Sequence, residues 1–319
     1  MATVQKLLTP EEIAARGGSR IPFLHLAPRG EVFAPRARRL RMVAPGHAMQ
    51  GYLELIASIA EAQQAALDDM PAVSLPDVRA TQLSRDHGMP PLDHRAHLRD
   101  RAWNDTLRRM LRRIAERCEG RAAEVAARLE GSRDELYEAQ ASKLLAGVTF
   151  GLDPATAPFV GAGLQVYFAH LVLTLGEKEF PPIGAANVCP CCGSRPTASV
   201  IRIGGEASGY RFLHCSLCSA QWHMVRVKCA HCEGTKGIAY ESLDGGAHDA
   251  KPAVQAETCD TCNHYLKVVY MDRDPDVEPC ADDLASVALD ILVAEQEGRE
   301  PWGVNFLLIH GDPDAATGG

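Results

Sequence analysis

Cys189-Pro190-Cys191-Cys192-Gly193, Cys215-Ser216-Leu217-Cys218, Cys229-Ala230-His231-Cys232 and Cys259-Asp260-Thr261-Cys262 place four Cys-x-x-Cys doublets between positions 189 and 262. A doublet wraps one turn of backbone around a metal ion, and two doublets complete a tetrahedral thiolate shell. Chain order pairs Cys189, Cys192, Cys215 and Cys218 as one centre, and Cys229, Cys232, Cys259 and Cys262 as the other. Interleaved pairing would entangle the two units. A lone doublet reads equally as a dithiol redox motif, whereas four in tandem read as metal ligands. A structural zinc and a rubredoxin-like iron both suit four thiolates, and the spacing does not choose between them.

The doublets belong to an internal repeat. Cys189 and Cys192 recur 40 residues later as Cys229 and Cys232, and Cys215 and Cys218 recur 44 later as Cys259 and Cys262. Each copy reads as a doublet, a hairpin, a second doublet and an apolar strand, Gln221 to Val227 in the first and Tyr265 to Tyr270 in the second. The four extra residues fall in the second hairpin, around Asp244-Gly245-Gly246. Glycine directly after a knuckle frees the backbone to turn an amide toward sulfur. Gly193 meets that pattern, while Ser219, Glu233 and Asn263 depart from it.

Outward from the repeat, residues 1–183 read as a mainly helical domain. Thr9-Pro10-Glu11-Glu12 and Ser132-Arg133-Asp134-Glu135 have the form of capping boxes, the second opening a helix toward Val148. Tyr52, Leu55, Ile56, Ile59, Ala66 and Leu67 recur at helical spacing, as do Trp103, Leu107, Met110, Leu111 and Ile114. Asp153-Pro154 is expected to start a helix apolar on all sides, which belongs at the centre of a helical core. Met70 to Leu92, with four prolines, reads as loop or extended connection. The ribbon modules are assigned to 184–227 and 228–280. After Cys280 one helix is expected, with Leu284, Val287, Ala288, Ile291 and Leu292 on its apolar face, Asp282-Asp283 in its first turn and Gly298 as its stop; 281–319 form this helix and tail. The fold class is α+β.

The remaining cysteines and histidines carry weaker signals. Cys191, inside the first knuckle, reads as a bystander thiol, oxidisable if exposed. Cys118 and Cys280 are single, and small-residue packing is the expected role of Cys118. His214, His223, His231 and His264 flank complete four-cysteine sets and are expected on the ribbon surface or as hydrogen-bond donors to the thiolates. Trp222 is expected to cover the first centre.

With 46% hydrophobic and 23% charged residues, this is the composition of an ordinary globular protein. The net charge of −8 disfavours a polyanionic partner, although arginines cluster at 36–41 and 108–113. The amino terminus shows no export signal and Leu164–Leu175 is too short to span a bilayer, so a cytoplasmic protein with no membrane insertion is expected. No Gly-rich phosphate loop, Gly-x-Ser-x-Gly elbow or paired-carboxylate motif nominates a catalytic residue, and none is assigned.

The order of a helical half, Cys189-Pro190-Cys191-Cys192-Gly193, Leu213-His214-Cys215-Ser216-Leu217-Cys218, Gln221-Trp222, Val225-Arg226-Val227, Cys229 and Cys259-Asp260-Thr261-Cys262 resembles the FdhE-type formate dehydrogenase accessory proteins over essentially the whole chain. The run from Cys215 to Cys232 is the most specific part. The resemblance implies a cytoplasmic, non-enzymatic maturation factor with two rubredoxin-like modules. It implies two iron ions held by the eight doublet cysteines, and a partner in the catalytic subunit of respiratory formate dehydrogenase before its export. Self-association stays open. The rival readings are a zinc-ribbon nucleic-acid-binding module and an electron-transfer component.

Overall fold

The computed structural model describes residues 21–243 and 251–308. The sequence features at Thr9-Pro10-Glu11-Glu12 and Asp244-Gly245-Gly246 lie outside them. The helical part comprises α1 (Ala34–Val43), α2 (Gln50–Asp68), α3 (Val78–Asp86), α4 (Ala102–Arg117), α5 (Gly120–Glu130), α6 (Asp134–Ala146) and α7 (Ala157–Leu175). Every residue of α7 from Ala157 to Val172 is buried, and α2, α4 and α6 pack around it. A helix apolar all round has no solvent face to offer, so it becomes the axis of the bundle. The stripe Trp103, Leu107, Met110, Leu111 and Ile114 on α4 is wholly buried.

Three expectations are corrected here. The proline-rich stretch after Met70 contains α3, because Asp77 caps it by accepting from the N–H groups of Arg79 and Ala80. The capping box at Ser132 does not form: Ser132 Oγ donates back to the Arg128 carbonyl, and α6 starts at Asp134 without a side-chain cap. Asp153-Pro154 forms a turn in which Asp153 accepts from Ala155 N and Thr156 Oγ1, three residues ahead of the helix.

Eight strands form one sheet: β1 (Leu24–His25), β2 (Pro196–Ile201), β3 (Arg211–Cys215), β4 (Gln221–His223), β5 (Ile238–Glu241), β6 (Val254–Cys259), β7 (His264–Tyr270) and β8 (Glu300–Pro301). Their order is β1-β4-β3-β2-β7-β6-β5, with β8 added on β7. Each zinc-ribbon-like module contributes an antiparallel three-strand meander, β2-β3-β4 or β5-β6-β7. Parallel pairing of Ser199, Val200 and Ile201 with Val268, Val269 and Tyr270 joins the two. The modules are tandem in sequence and continuous in space. β4 is shorter than the sequence suggests: past His223 the chain turns, and Val225 and Val227 face solvent.

The carboxy-terminal helical segment is two helices, α8 (Pro279–Ala285) and α9 (Val287–Glu297), broken at Ser286, where ψ of 28° interrupts the helix. The break rotates the second helix, so Leu289 and Val293 point inward while Ala288 and Ile291 are exposed, against the single apolar face expected. Gly298 ends α9 in the left-handed conformation, as its sequence indicates. α8 lies between α1 on one side and β2 and β7 on the other. Asp282 and Asp283 therefore do more than suit a helix dipole. Asp282 pairs with Arg39 at 2.7 Å, Asp283 with Lys267 at 3.2 Å, and the neighbouring Glu278 with Arg36 at 3.2 Å. Behind α8, the chain returns to the core helix at Gly161, where any Cβ would sit 2.5 Å from the Phe306 carbonyl oxygen.

Candidate metal centres

One backbone turn is repeated at the knuckles. The residue after the doublet donates its N–H to the carbonyl of the first cysteine: Gly193 to Cys189 at 2.8 Å, Glu233 to Cys229 at 3.1 Å and Asn263 to Cys259 at 2.9 Å. The first cysteine's N–H reaches the carbonyl five residues on, Cys189 to Ser194, Cys215 to Ala220 and Cys229 to Gly234. This turn requires positive φ directly after the doublet, and all four knuckles adopt it: Gly193 at 72°, Ser219 at 60°, Glu233 and Asn263 at 57°. Among the described residues, those last three are the only non-glycines with positive φ. The missing glycines are thus not departures in geometry. Each costs roughly 1 kcal/mol or more of left-handed strain, borne where the surrounding hydrogen bonds over-determine the turn.

The turns gather the eight doublet sulfurs into two groups, Cys189, Cys192, Cys215 and Cys218, then Cys229, Cys232, Cys259 and Cys262. Sulfur separations are 3.6 Å for Cys189–Cys218, 3.5 Å for Cys192–Cys215 and 3.7 Å for Cys192–Cys218. In the second group they are 3.7 Å for Cys229–Cys262 and 3.9 Å for Cys232–Cys259. Four sulfurs about 2.3 Å from a central ion define a tetrahedron with edges of about 3.8 Å. A disulfide would need about 2 Å. All the described cysteines are free, so both groups have the dimensions of a cage around a metal ion and can bind one.

Backbone donors face the sulfurs. Leu217 N and Cys218 N lie 3.4 Å from Cys215 Sγ, and His231 N lies 3.4 Å from Cys229 Sγ. Burial pushes the Cys192, Cys215 and Cys218 thiols up. At Cys189 burial acts the same way, yet hydrogen bonds from Cys191 and the other three hold its thiol well below the ordinary value. One charge is sustained by four neighbouring thiols; four thiolates together need a cation. In the second cage burial of Cys259 is outweighed by the N–H groups of Cys262 and Thr261, which bring it to about 7.

The helical part supplies a shell that the cysteine spacing does not reveal. Leu92 N donates to the Cys191 carbonyl at 3.0 Å, and His94 N to the Cys192 carbonyl at 2.9 Å. Gln165, on the core helix, donates to the Ser216 carbonyl at 2.7 Å and accepts from Gln63 and Arg36. β1 pairs Leu24 with Trp222, whose Nε1 donates to the Ala186 carbonyl. Trp222 is buried in the same apolar cluster as the first four cysteines. Of these contributors, only Trp222 carries a signal in the sequence, as an aromatic beside a knuckle.

The other singled-out residues divide. Cys191 is fully buried against Cys189 and Cys218, so the exposure that would make it oxidisable is not met. Cys118 is half-buried at the end of α4, and Cys280 is buried with Asn305 Oδ1 3.4 Å from its sulfur. His214 is buried rather than on the ribbon surface, with Nδ1 3.4 Å from Gln221 Nε2, and burial together with Arg36 lowers it to about 3. His223 is half-buried and meets the rings of Tyr210 and Phe212 edge-on. His231 and His264 stack at 3.9 Å beside Trp302. With Cys262 they bring three ligand atoms within 4.8 Å of one another at the rim of the second cage.

A helical body carrying two fused four-sulfur ribbons defines a protein with two cysteine sets that can each hold a metal ion. Family models match in three consecutive pieces: the FdhE N-terminal region at 21–185, the FdhE central domain at 188–226 and the FdhE C-terminal domain at 227–308. The chain belongs to the FdhE family of formate dehydrogenase accessory proteins. Similar relatives include the FdhE homologue of Pseudomonas aeruginosa, 40% identical over 96% of this chain and 98% of that one. FdhE of Salmonella enteritidis is 37% identical over 93% and 94%. The crystal structure of the FdhE protein from Pseudomonas aeruginosa matches with a TM-score of 0.83 at 40% identity, covering 91% of this chain and 100% of that one. One helix among the described residues, α7, is long and apolar enough to cross a membrane, and its apolar window is 83% buried inside the fold.

Proposed function

We propose that the chain is a cytoplasmic, non-enzymatic maturation factor for respiratory formate dehydrogenase, binding the catalytic subunit before export and acting through two iron ions. Cys189, Cys192, Cys215 and Cys218 hold one ion, and Cys229, Cys232, Cys259 and Cys262 the other. The observation that carries the reading is the pair of sulfur cages of tetrahedral dimensions on a chain matching this family along almost its whole length. Iron bound there would supply a one-electron couple in a fixed four-thiolate shell. The chain's own contribution is to hold thiolate charge with the Leu217, Cys218 and His231 amides and to fix the first knuckle with His94. Residues 1–183 dock the partner. Support for this comes from the exposed apolar side chains of Val78, Leu83, Met89 and Leu98, which lie on the segment that also braces the first knuckle.

Protein purified without oxygen is expected to contain about two irons per chain and a thiolate charge-transfer spectrum that bleaches on reduction. Colourless protein with two zincs would remove the iron part alone. Tagged protein is expected to retain the catalytic subunit from a cytoplasmic extract, and Val78→Asp with Leu98→Asp to lose it. A wild-type pull-down without that subunit would overturn the docking.

A further inference from the structure

On a chain of net charge −8, three cationic side chains converge on one cavity with no ion-pair partner among the described residues. The cavity, of about 500 Å³, opens between the two ribbons. Its size falls within the range of about 300–1,000 Å³ common to small-molecule sites. Arg211 and Arg226 enter from the first ribbon, and Tyr240, Lys251, Tyr270 and Arg273 from the second. Arg226, Lys251 and Arg273 make no ion pair with a carboxylate among the described residues, unlike most arginines of the helical body.

Among the described residues, the only carboxylate lining the cavity, Glu257, is already engaged. Its Oε1 accepts from Arg211 at 2.8 Å and its Oε2 from the Tyr240 hydroxyl at 3.1 Å. Arg211 is 1% exposed and donates to the Lys228 carbonyl as well, yet its Nε has no partner among the described residues. Arg273 lies over the Tyr270 ring and spends one nitrogen on the Pro252 carbonyl and Gln255 Oε1. Burial raises the Tyr270 phenol and Arg273 pulls it down, Glu257 adding to the rise and Arg211 and Arg226 to the fall.

We propose that this cavity binds a diphosphate group, free or borne by a nucleotide, with Arg226, Lys251 and Arg273 meeting its charge and the two tyrosines walling it. Guanidinium forks match phosphate oxygens two at a time. A single phosphate carries about −1.5 to −2 and leaves three cations undercompensated; a diphosphate does not. Because both ribbons contribute, the ligand clamps them across the parallel β2–β7 seam. The cavity shares no residue with either cage, and its test does not involve formate dehydrogenase.

The test is calorimetric titration of the metal-loaded full chain with inorganic pyrophosphate, ADP, orthophosphate and a glutamate-rich hexapeptide at constant ionic strength. Pyrophosphate is expected to bind saturably with one site per chain, and orthophosphate at least ~10-fold more weakly. Arg226→Ala and Arg273→Ala are each expected to weaken pyrophosphate ~10-fold or more, while Arg38→Ala, at an exposed arginine paired with Glu31, leaves it unchanged. Should Arg273→Ala not fold, Arg226→Ala and Lys251→Ala at exposed positions carry the test. ADP binding more tightly than pyrophosphate assigns a nucleotide; equal or weaker binding assigns free diphosphate. Absence of saturable binding, indifference to Arg226→Ala, or a hexapeptide that binds as tightly would overturn the proposal.

Discussion

The first cage is walled in by the helical body, with Cys189, Cys192, Cys215 and Cys218 all buried in the main apolar cluster and bonded to it through His94 and Gln165. The second repeats the same knuckles at the surface, where Cys232 is exposed and Cys262 half-buried beside the His231–His264 stack. Local turn geometry is shared, down to positive φ after each doublet; the surroundings are not. A thiolate set inside a core is a folding element, because its loss leaves buried sulfur without a cation. A set at the rim is open to exchange and to a partner.

This contrast predicts unequal responses to the same substitution. Cys192→Ser is expected to leave little soluble folded protein, since structural metal binding is worth on the order of 10 kcal/mol and a domain's whole stability is similar. Cys232→Ser is expected to lose one metal per chain while retaining a cooperative melt. Metal analysis beside circular dichroism reads both, and equal losses in the two variants would erase the distinction between the cages.

Next in size is Arg36→Ala. It strands Glu278, the buried partner that ties α8 to the helical body. Breaking such a pair costs about 3–5 kcal/mol, so the urea midpoint should fall well below wild type with both metals still bound. An unchanged midpoint would mean that α8 does not hold the ribbons to the body.

Acid should probe the first ribbon through β1. Burial, aided by Arg202, lowers His25 to about 4 from its usual 6.5. The unfolded chain therefore binds the extra proton first. The stability His25 confers is complete above about pH 6.5 and is lost as pH falls toward 4. His25→Gln should show a shallower decline over that window in urea melts at fixed metal; parallel declines would remove the assignment.

The smallest effect is expected at Ser219→Gly. It relieves a left-handed residue and deletes a buried hydroxyl that has no hydrogen-bond partner among the described residues. A gain of about 1 kcal/mol is expected, measured as a rise in the urea midpoint; a fall would mean that the hydroxyl holds the second knuckle.

Much of the architecture was legible. The stripe on α4 and the all-apolar α7 report burial directly, because helical period and composition are properties of the element itself. The repeat of doublets named the eight cysteines that the fold assembles in fours. The break at Ser286, the cap at Asp77 and the burial of Cys191 were not legible, since each is settled by what packs against it. The role of His94 is of the same kind: it meets Cys192 across 98 residues, and no local period encodes that contact.

Sequence alone determined that two sulfur sets exist and which helix lies at the centre, for these follow from spacing and polarity within short stretches. Tertiary structure alone decided that the ribbons share one sheet, that one cage is sealed and the other open, and that cations with no ion-pair partner among the described residues meet between them. Such outcomes depend on pairings between distant residues, where burial and charge are set by neighbours rather than by the chain's local order.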